Sequence, residues 1–262
     1  MNLSFPLPLL TRLQGIWEYH TQTALWNKII PQIGPRYNTS NNLYGPSVAA
    51  CLKSTIYGTL PDGTFASYNL TASVWTTLAK PPKPLRCSAI YAVGNDTIHA
   101  VGGVLDSGAR SDATQVFHPV SNTWSQIVFP RPITAAGAIA VGGVEYVYGG
   151  SDQSQLLGNL DALTPVGSWS VVENGTAAGS PPARENMCFE AWNNTLVLWG
   201  GQYSPTILSE SGIWLFNVTK GSPGGWSDQP LQLAPGATAP NLTNPITCTV
   251  VGSVLHIWGA DL

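Results

Sequence analysis

The sequence predicts an all-β fold, a propeller whose blades are written as an internal repeat. Three observations predict it. Five segments rich in β-formers end in a large residue and glycine: Ile56-Tyr57-Gly58, Val101-Gly102-Gly103, Tyr148-Gly149-Gly150, Trp199-Gly200-Gly201 and Trp258-Gly259. A second segment carries a large residue and then tryptophan, in the pairs Tyr19 and Trp26, Tyr68 and Trp75, Phe117 and Trp124, Leu160 and Trp169, and Phe216 and Trp226. Tyr19, Tyr68 and Phe117 follow one another at 49 residues, as do Trp26, Trp75 and Trp124. A period of about 50 residues built this way marks a propeller blade, a unit that buries its faces only by stacking on its neighbours.

The elements follow in chain order. Residues 15–20 align with residues 212–217, an outer-strand segment, so the first blade begins with its outer strands. Residues 138–141, 144–148 and 195–199 are nearly continuous apolar runs, as inner strands covered on both faces require. Gly102, Gly103, Gly149, Gly150, Gly200 and Gly201 stand where the chain leaves an inner strand, a place for positive φ or close backbone approach. Trp26, Trp75, Trp124, Trp169 and Trp226 are expected to fill the wedges that open between blades toward the rim. Residues 248–258 form an inner hairpin with no outer strands after it. Pairing the N-terminal outer strands with this C-terminal inner hairpin gives five blades, a closed ring and no exposed sheet edge. Residues 1–262 then make one domain; the alternative is a fragment of a larger propeller.

At Tyr68-Asn69 to Trp75 and Phe117-His118 to Trp124, the chain resembles the kelch-repeat propellers, whose pattern is a strand ending in Gly-Gly followed by an aromatic and a later Trp. The resemblance spans roughly residues 15–260. The first and last copies depart from it, with Gly58-Thr59 and Gly259-Ala260 in place of Gly-Gly, and the copy from Phe216 to Trp226 is stretched. The Arg86-Cys87 and Arg184 to Cys188 segments are similar to those of secreted fungal kelch proteins, a likeness that implies cysteines acting as small core residues. Cys51 with Cys87, and Cys188 with Cys248, fall on adjacent blades, so cross-blade disulfides are the alternative.

Composition narrows the function. The 262 residues carry 27 Gly and 21 Pro, suited to many short strands joined by turns. Only 10% are charged, the net charge is −3, and Lys and Arg never cluster, so the electrostatic footprint of nucleic-acid binding is missing. No apolar run reaches the length of a membrane-spanning helix. Candidate N-glycosylation sequons stand at Asn38, Asn69, Asn95, Asn174, Asn193, Asn217 and Asn241, with a further one at Asn2. Asn95 and Asn193 share one repeat position and Asn69 and Asn217 another. This density points to a secreted or cell-surface protein, with a cytoplasmic propeller as the alternative.

No constellation of catalytic or metal-ligating residues emerges. His99 and His256 occupy one repeat slot and His20 and His118 another; equivalent slots in different blades lie apart, so they are expected to serve structure. Tyr19-His20 resembles the Tyr-His pair of galactose-oxidase-type copper enzymes but sits in an outer-strand slot. No Gly-x-Ser-x-Gly elbow is present, and Glu145, Asp106 and Asp112 look scattered. Arg36, Arg86, Arg131 and Arg184 recur before inner strands and are expected to tie loops together. The stretches after the blade glycines differ in sequence at equivalent points, and their Asp106, Arg110, Asp112, Asp152, Gln202 and Tyr203 are the candidate ligand-face residues. The expectation is therefore a binding or scaffold propeller without enzymatic activity or cofactor, docking a protein on this loop face. A glycan-binding propeller and a copper enzyme are the alternatives.

Overall fold

The computed structural model describes residues 16–20, 25–29, 49–59, 63–164, 167–176, 179–202, 212–219, 225–230, 247–251 and 254–258. They form twenty strands, all paired antiparallel. Four sheets have four strands each. The first contains β3 (Ala49–Leu52), β4 (Thr55–Thr59), β5 (Phe65–Asn69) and β6 (Val74–Thr77). The second contains β7 (Ala89–Val93), β8 (Thr97–Val101), β9 (Ser111–His118) and β10 (Thr123–Ile133). The third contains β11 (Gly137–Val141), β12 (Val144–Tyr148), β13 (Leu160–Leu163) and β14 (Trp169–Glu173). The fourth contains β15 (Cys188–Trp192), β16 (Thr195–Trp199), β17 (Gly212–Asn217) and β18 (Trp226–Pro230). The hairpins β1 (Ile16–His20) with β2 (Leu25–Ile29), and β19 (Thr247–Val251) with β20 (Val254–Trp258), each form a two-stranded sheet.

Within each four-stranded sheet the strands run in chain order from inside to outside. Neighbouring sheets meet through their first strands, β3 against β7, β7 against β11, β11 against β15 and β15 against β19. Because strand direction alternates, both hairpin turns of a sheet lie at one end. The long loops lie at the other, where the blade glycines stand. These two ends are the hairpin face and the glycine face.

The double glycines have a steric cause. Gly149 and Gly150 have φ of 67° and 86°. A Cβ on Gly150 would lie 2.6 Å from the Thr134 carbonyl oxygen, and one on Gly149 2.5 Å from that of Arg184. No L-residue fits either constraint without moving backbone.

Among the described side chains, Trp124, Trp169 and Trp226 each meet a ring of the preceding sheet, while Trp75 meets Tyr68 of its own sheet. Trp124 packs on Phe65 of the preceding sheet at 4.9 Å between ring centroids and donates its indole N–H to Ala79 O at 2.8 Å. Trp169 meets Phe129, and Trp226 meets Tyr148, in the same wedge between sheets. One pairing is corrected. Trp169 lies opposite Leu163, while Leu160 pairs with Glu173. The turn closed by Thr164 and Ser168 is short, so it brings a later residue opposite the tryptophan than the Leu160 spacing implied.

The cysteine expectation is also corrected. Cys188 and Cys248 form a disulfide across the β15–β19 contact, with Cα atoms 5.5 Å apart, whereas Cys51 and Cys87 are free thiols. The register explains the difference. Cys188 pairs with Trp199 and Cys248 with Ile257, one slot further along the hairpin, and Cys87 precedes β7 altogether. The three do not share one position.

Candidate functional site

The glycine face is built from the segments that lead into the inner strands. Arg86-Cys87, Thr134-Ala135 and Glu185-Asn186 occupy one repeat position. The second residue of each adopts positive φ: 52° at Cys87, 53° at Ala135 and 56° at Asn186. That conformation turns successive sheets so that their backbones join. The Ala135 N–H donates to Cys87 O at 2.9 Å, and the Asn186 N–H to Ala135 O at 3.0 Å. Each lead-in is also bridged to the loop that follows its own glycines, Arg86 to Val104, Thr134 to Ser151 and Glu185 to Gln202. A rigid backbone arc thus carries side chains that differ from sheet to sheet.

Several sequence-nominated residues converge here. The Arg86 guanidinium donates to Asp106 at 2.7 Å, and Lys83 lies 3.4 Å from Asp112. In both pairs the carboxylate is exposed and the cation partly so, and ion pairs open to solvent contribute little stability. Arg110 carries a buried Nε with no hydrogen-bond partner among the described residues. Its charge acts on both Cys87 and Glu185. Burial raises the Cys87 thiol pKa; Arg110 and Arg86 oppose that rise and Glu185 adds to it. Burial likewise raises Glu185, with Arg110 opposing. Asp152 plays a different part: its Oδ1 accepts from the Ser154 N–H at 2.9 Å, the Ser154 hydroxyl at 2.8 Å and the Gln155 N–H at 3.0 Å. These bonds, the Ser154 backbone first, lower its pKa and make it a loop-shaping residue. Gln202 is exposed on this face, while Tyr203, Arg36, Asn38 and Asn241 lie outside the described residues.

The other arginines serve packing, as expected, but not from equivalent positions. Arg184 is fully buried and donates to Pro182 O and Gly200 O, each at 2.9 Å. Arg131 pairs with Asp161 of the third sheet, a carboxylate buried at 0% exposure. Burial raises the Asp161 pKa in spite of that partner.

Sequence reasoning missed one cluster. Glu145, described above as scattered, accepts hydrogen bonds from the Tyr91 hydroxyl and from Nδ1 of His99, the latter at 2.8 Å, while Thr97 Oγ1 lies 3.0 Å from His99 Nε2. Tyr91, His99 and Glu145 are all buried. Burial and the neighbouring carboxylate push the Tyr91 phenol well above its usual range. The cluster joins the second and third sheets as a polar tie. Among the described residues no group of three or more His, Cys, Asp or Glu is placed to hold a metal, and no helix is long and apolar enough to cross a membrane.

No family model matches the chain. No curated protein matches it either. Among solved structures, that of YjhT is similar, with a TM-score of 0.64, 15% sequence identity, and coverage of 80% of this chain and 71% of that one. At that identity the likeness speaks to fold alone. Together with the four-stranded antiparallel sheets meeting through their first strands, it shows that the chain has a β-propeller fold.

Proposed function

We propose that the chain is a kelch-type propeller of five blades that acts as a non-enzymatic binding scaffold, docking a protein partner on its glycine face. The β1–β2 and β19–β20 hairpins supply the outer and inner strands of the fifth blade. The observation that carries the functional reading is the contrast within one repeat position. Backbone hydrogen bonds hold residues 87, 135 and 186 in a common arc, yet the side chains beside them are Arg86, Thr134 and Glu185. A constant frame with varied tips is what a recognition surface needs, because the frame removes the ordering cost and the tips provide specificity. The Cys188–Cys248 disulfide and the density of sequons support a secreted or cell-surface setting.

The test is affinity capture from the native source with the wild-type chain and with an Asp106→Ala/Arg110→Ala variant of unchanged thermal midpoint. A partner retained by the first and lost by the second is the expected result. Equal capture by both would place the interface elsewhere.

A further inference from the structure

The sequons sort by face. Asn95 stands in the β7–β8 turn and Asn193 in the β15–β16 turn; Asn69 ends β5 and Asn217 ends β17. All four therefore lie on the hairpin face, opposite the Arg86 and Arg110 region. We propose that this face is N-glycosylated at Asn69, Asn95, Asn193 and Asn217, and that the sugars shield it and leave the glycine face as the side open to partners. The inference rests on the extracytoplasmic setting proposed above.

Local geometry fits the modification. Asn95 and Asn193 are exposed. Asn69 Oδ1 accepts from the N–H groups of Thr71 and Ala72 at 2.9 and 2.8 Å. Asn217 Oδ1 accepts from the Thr219 N–H at 2.9 Å and the Thr219 hydroxyl at 2.7 Å. In both turns the carboxamide oxygen faces the chain and binds the turn, so Nδ2 is the atom left to carry a sugar. In the transfer, Nδ2 bonds the anomeric carbon of a lipid-pyrophosphate-linked oligosaccharide and loses a proton. The carbon–oxygen bond to the lipid pyrophosphate breaks, and the lipid pyrophosphate departs.

A second observation says what the sugars would cover. Leu70, Val74, Val120, Trp192 and Val254 are exposed at this same end, and only Val128 and Val171 of the exposed large hydrophobics among the described residues lie elsewhere. Apolar side chains of several sheets are thus exposed to solvent at this end. Trp192 adjoins Asn193, and Leu70 adjoins Asn69, so a bulky, solubilising glycan at each site sits beside the apolar group it would screen. Asn174 is the contrasting site. It follows the outermost strand of the third sheet, at the rim and at the glycine end, where its Oδ1 accepts from the Thr176 N–H at 3.1 Å.

The experiment is a site map of the protein from its native source. Glycans are removed enzymatically in ¹⁸O-labelled water, so that each formerly glycosylated Asn is read as labelled Asp by peptide mass spectrometry. Label at more than half of Asn69, Asn95, Asn193 and Asn217 is the expected result. Label at half of them or fewer, or only at other sequons, overturns the proposal. Removing the glycans from the folded protein should also raise the fluorescence of an apolar-surface dye, and Trp192→Ser should reduce that gain; no gain on deglycosylation overturns the shielding. Both readouts are independent of partner capture, so a failed glycine-face variant and a failed site map are told apart.

Discussion

The Cys188–Cys248 disulfide should be the largest single covalent contribution to stability, and its size follows from topology. The bond ties the innermost strand of the fourth sheet to the last hairpin and closes a loop with a sequence separation of 60. Cross-linking two points that far apart removes conformational entropy from the unfolded chain, about 4 kcal/mol at 25 °C by the chain-entropy relation. A domain's whole stability is about 5–15 kcal/mol, so reduction should remove a large share of it. The assay is urea unfolding followed by tryptophan fluorescence, in three samples: oxidised wild type, wild type with a thiol reductant, and Cys188→Ala/Cys248→Ala. The last two should unfold at a midpoint lower by roughly 1–2 M, taking a slope of about 2–3 kcal/mol per molar. Cys51→Ser and Cys87→Ser should leave the midpoint near wild type, since neither thiol is bonded to another. A double-alanine variant within about 0.5 kcal/mol of wild type would refute the reasoning. So would a reductant that destabilised that variant as much as the parent.

Three further perturbations test the packing and the electrostatics. Trp124→Ala empties the wedge beside Phe65 and strands Ala79 O, which should cost about 3–5 kcal/mol and lower the thermal midpoint by roughly 10 °C or more. Trp124→Phe, which loses the hydrogen bond but keeps a ring, should cost about 1 kcal/mol; an unchanged midpoint for the alanine variant would remove the tryptophans from the structural role. Arg131→Ala leaves the Asp161 carboxylate buried without its partner and should cost about 3–5 kcal/mol in urea unfolding, with part recovered by adding Asp161→Ala. If the double variant is no more stable than the single one, the pair is not coupled. Burial lifts Glu190 from 4.5 to about 7 against an opposing backbone hydrogen bond, so between those pH values the folded state keeps a proton that the unfolded chain has released. Stability should therefore fall as pH rises through that window, by about 3 kcal/mol in all, and Glu190→Gln should flatten the slope. Parallel pH profiles for the two proteins would count against this.

The repeat was legible because its cause is local and recurs. Gly150 has to be glycine because the lead-in carbonyl of Thr134 comes within 2.6 Å of where a Cβ would stand, and the same requirement returns at Gly103 and Gly201 in the sheets on either side. What escaped the sequence lies between slots. Leu163, not Leu160, faces Trp169 because turn length differs from one blade to the next. The reasoning that separated His99 from His256 was that equal slots on different blades lie apart. It says nothing about unequal slots on facing strands, and that is where Glu145 reaches His99. The disulfide has the same origin, joining Cys188 and Cys248 across slots that differ by one. Repetition specifies the frame, and departures from it specify the contacts made across the frame. The glycine face follows this rule as well. Residues 86, 134 and 185 share a backbone position and share no chemistry, so a ligand that reads this surface reads the differences among blades.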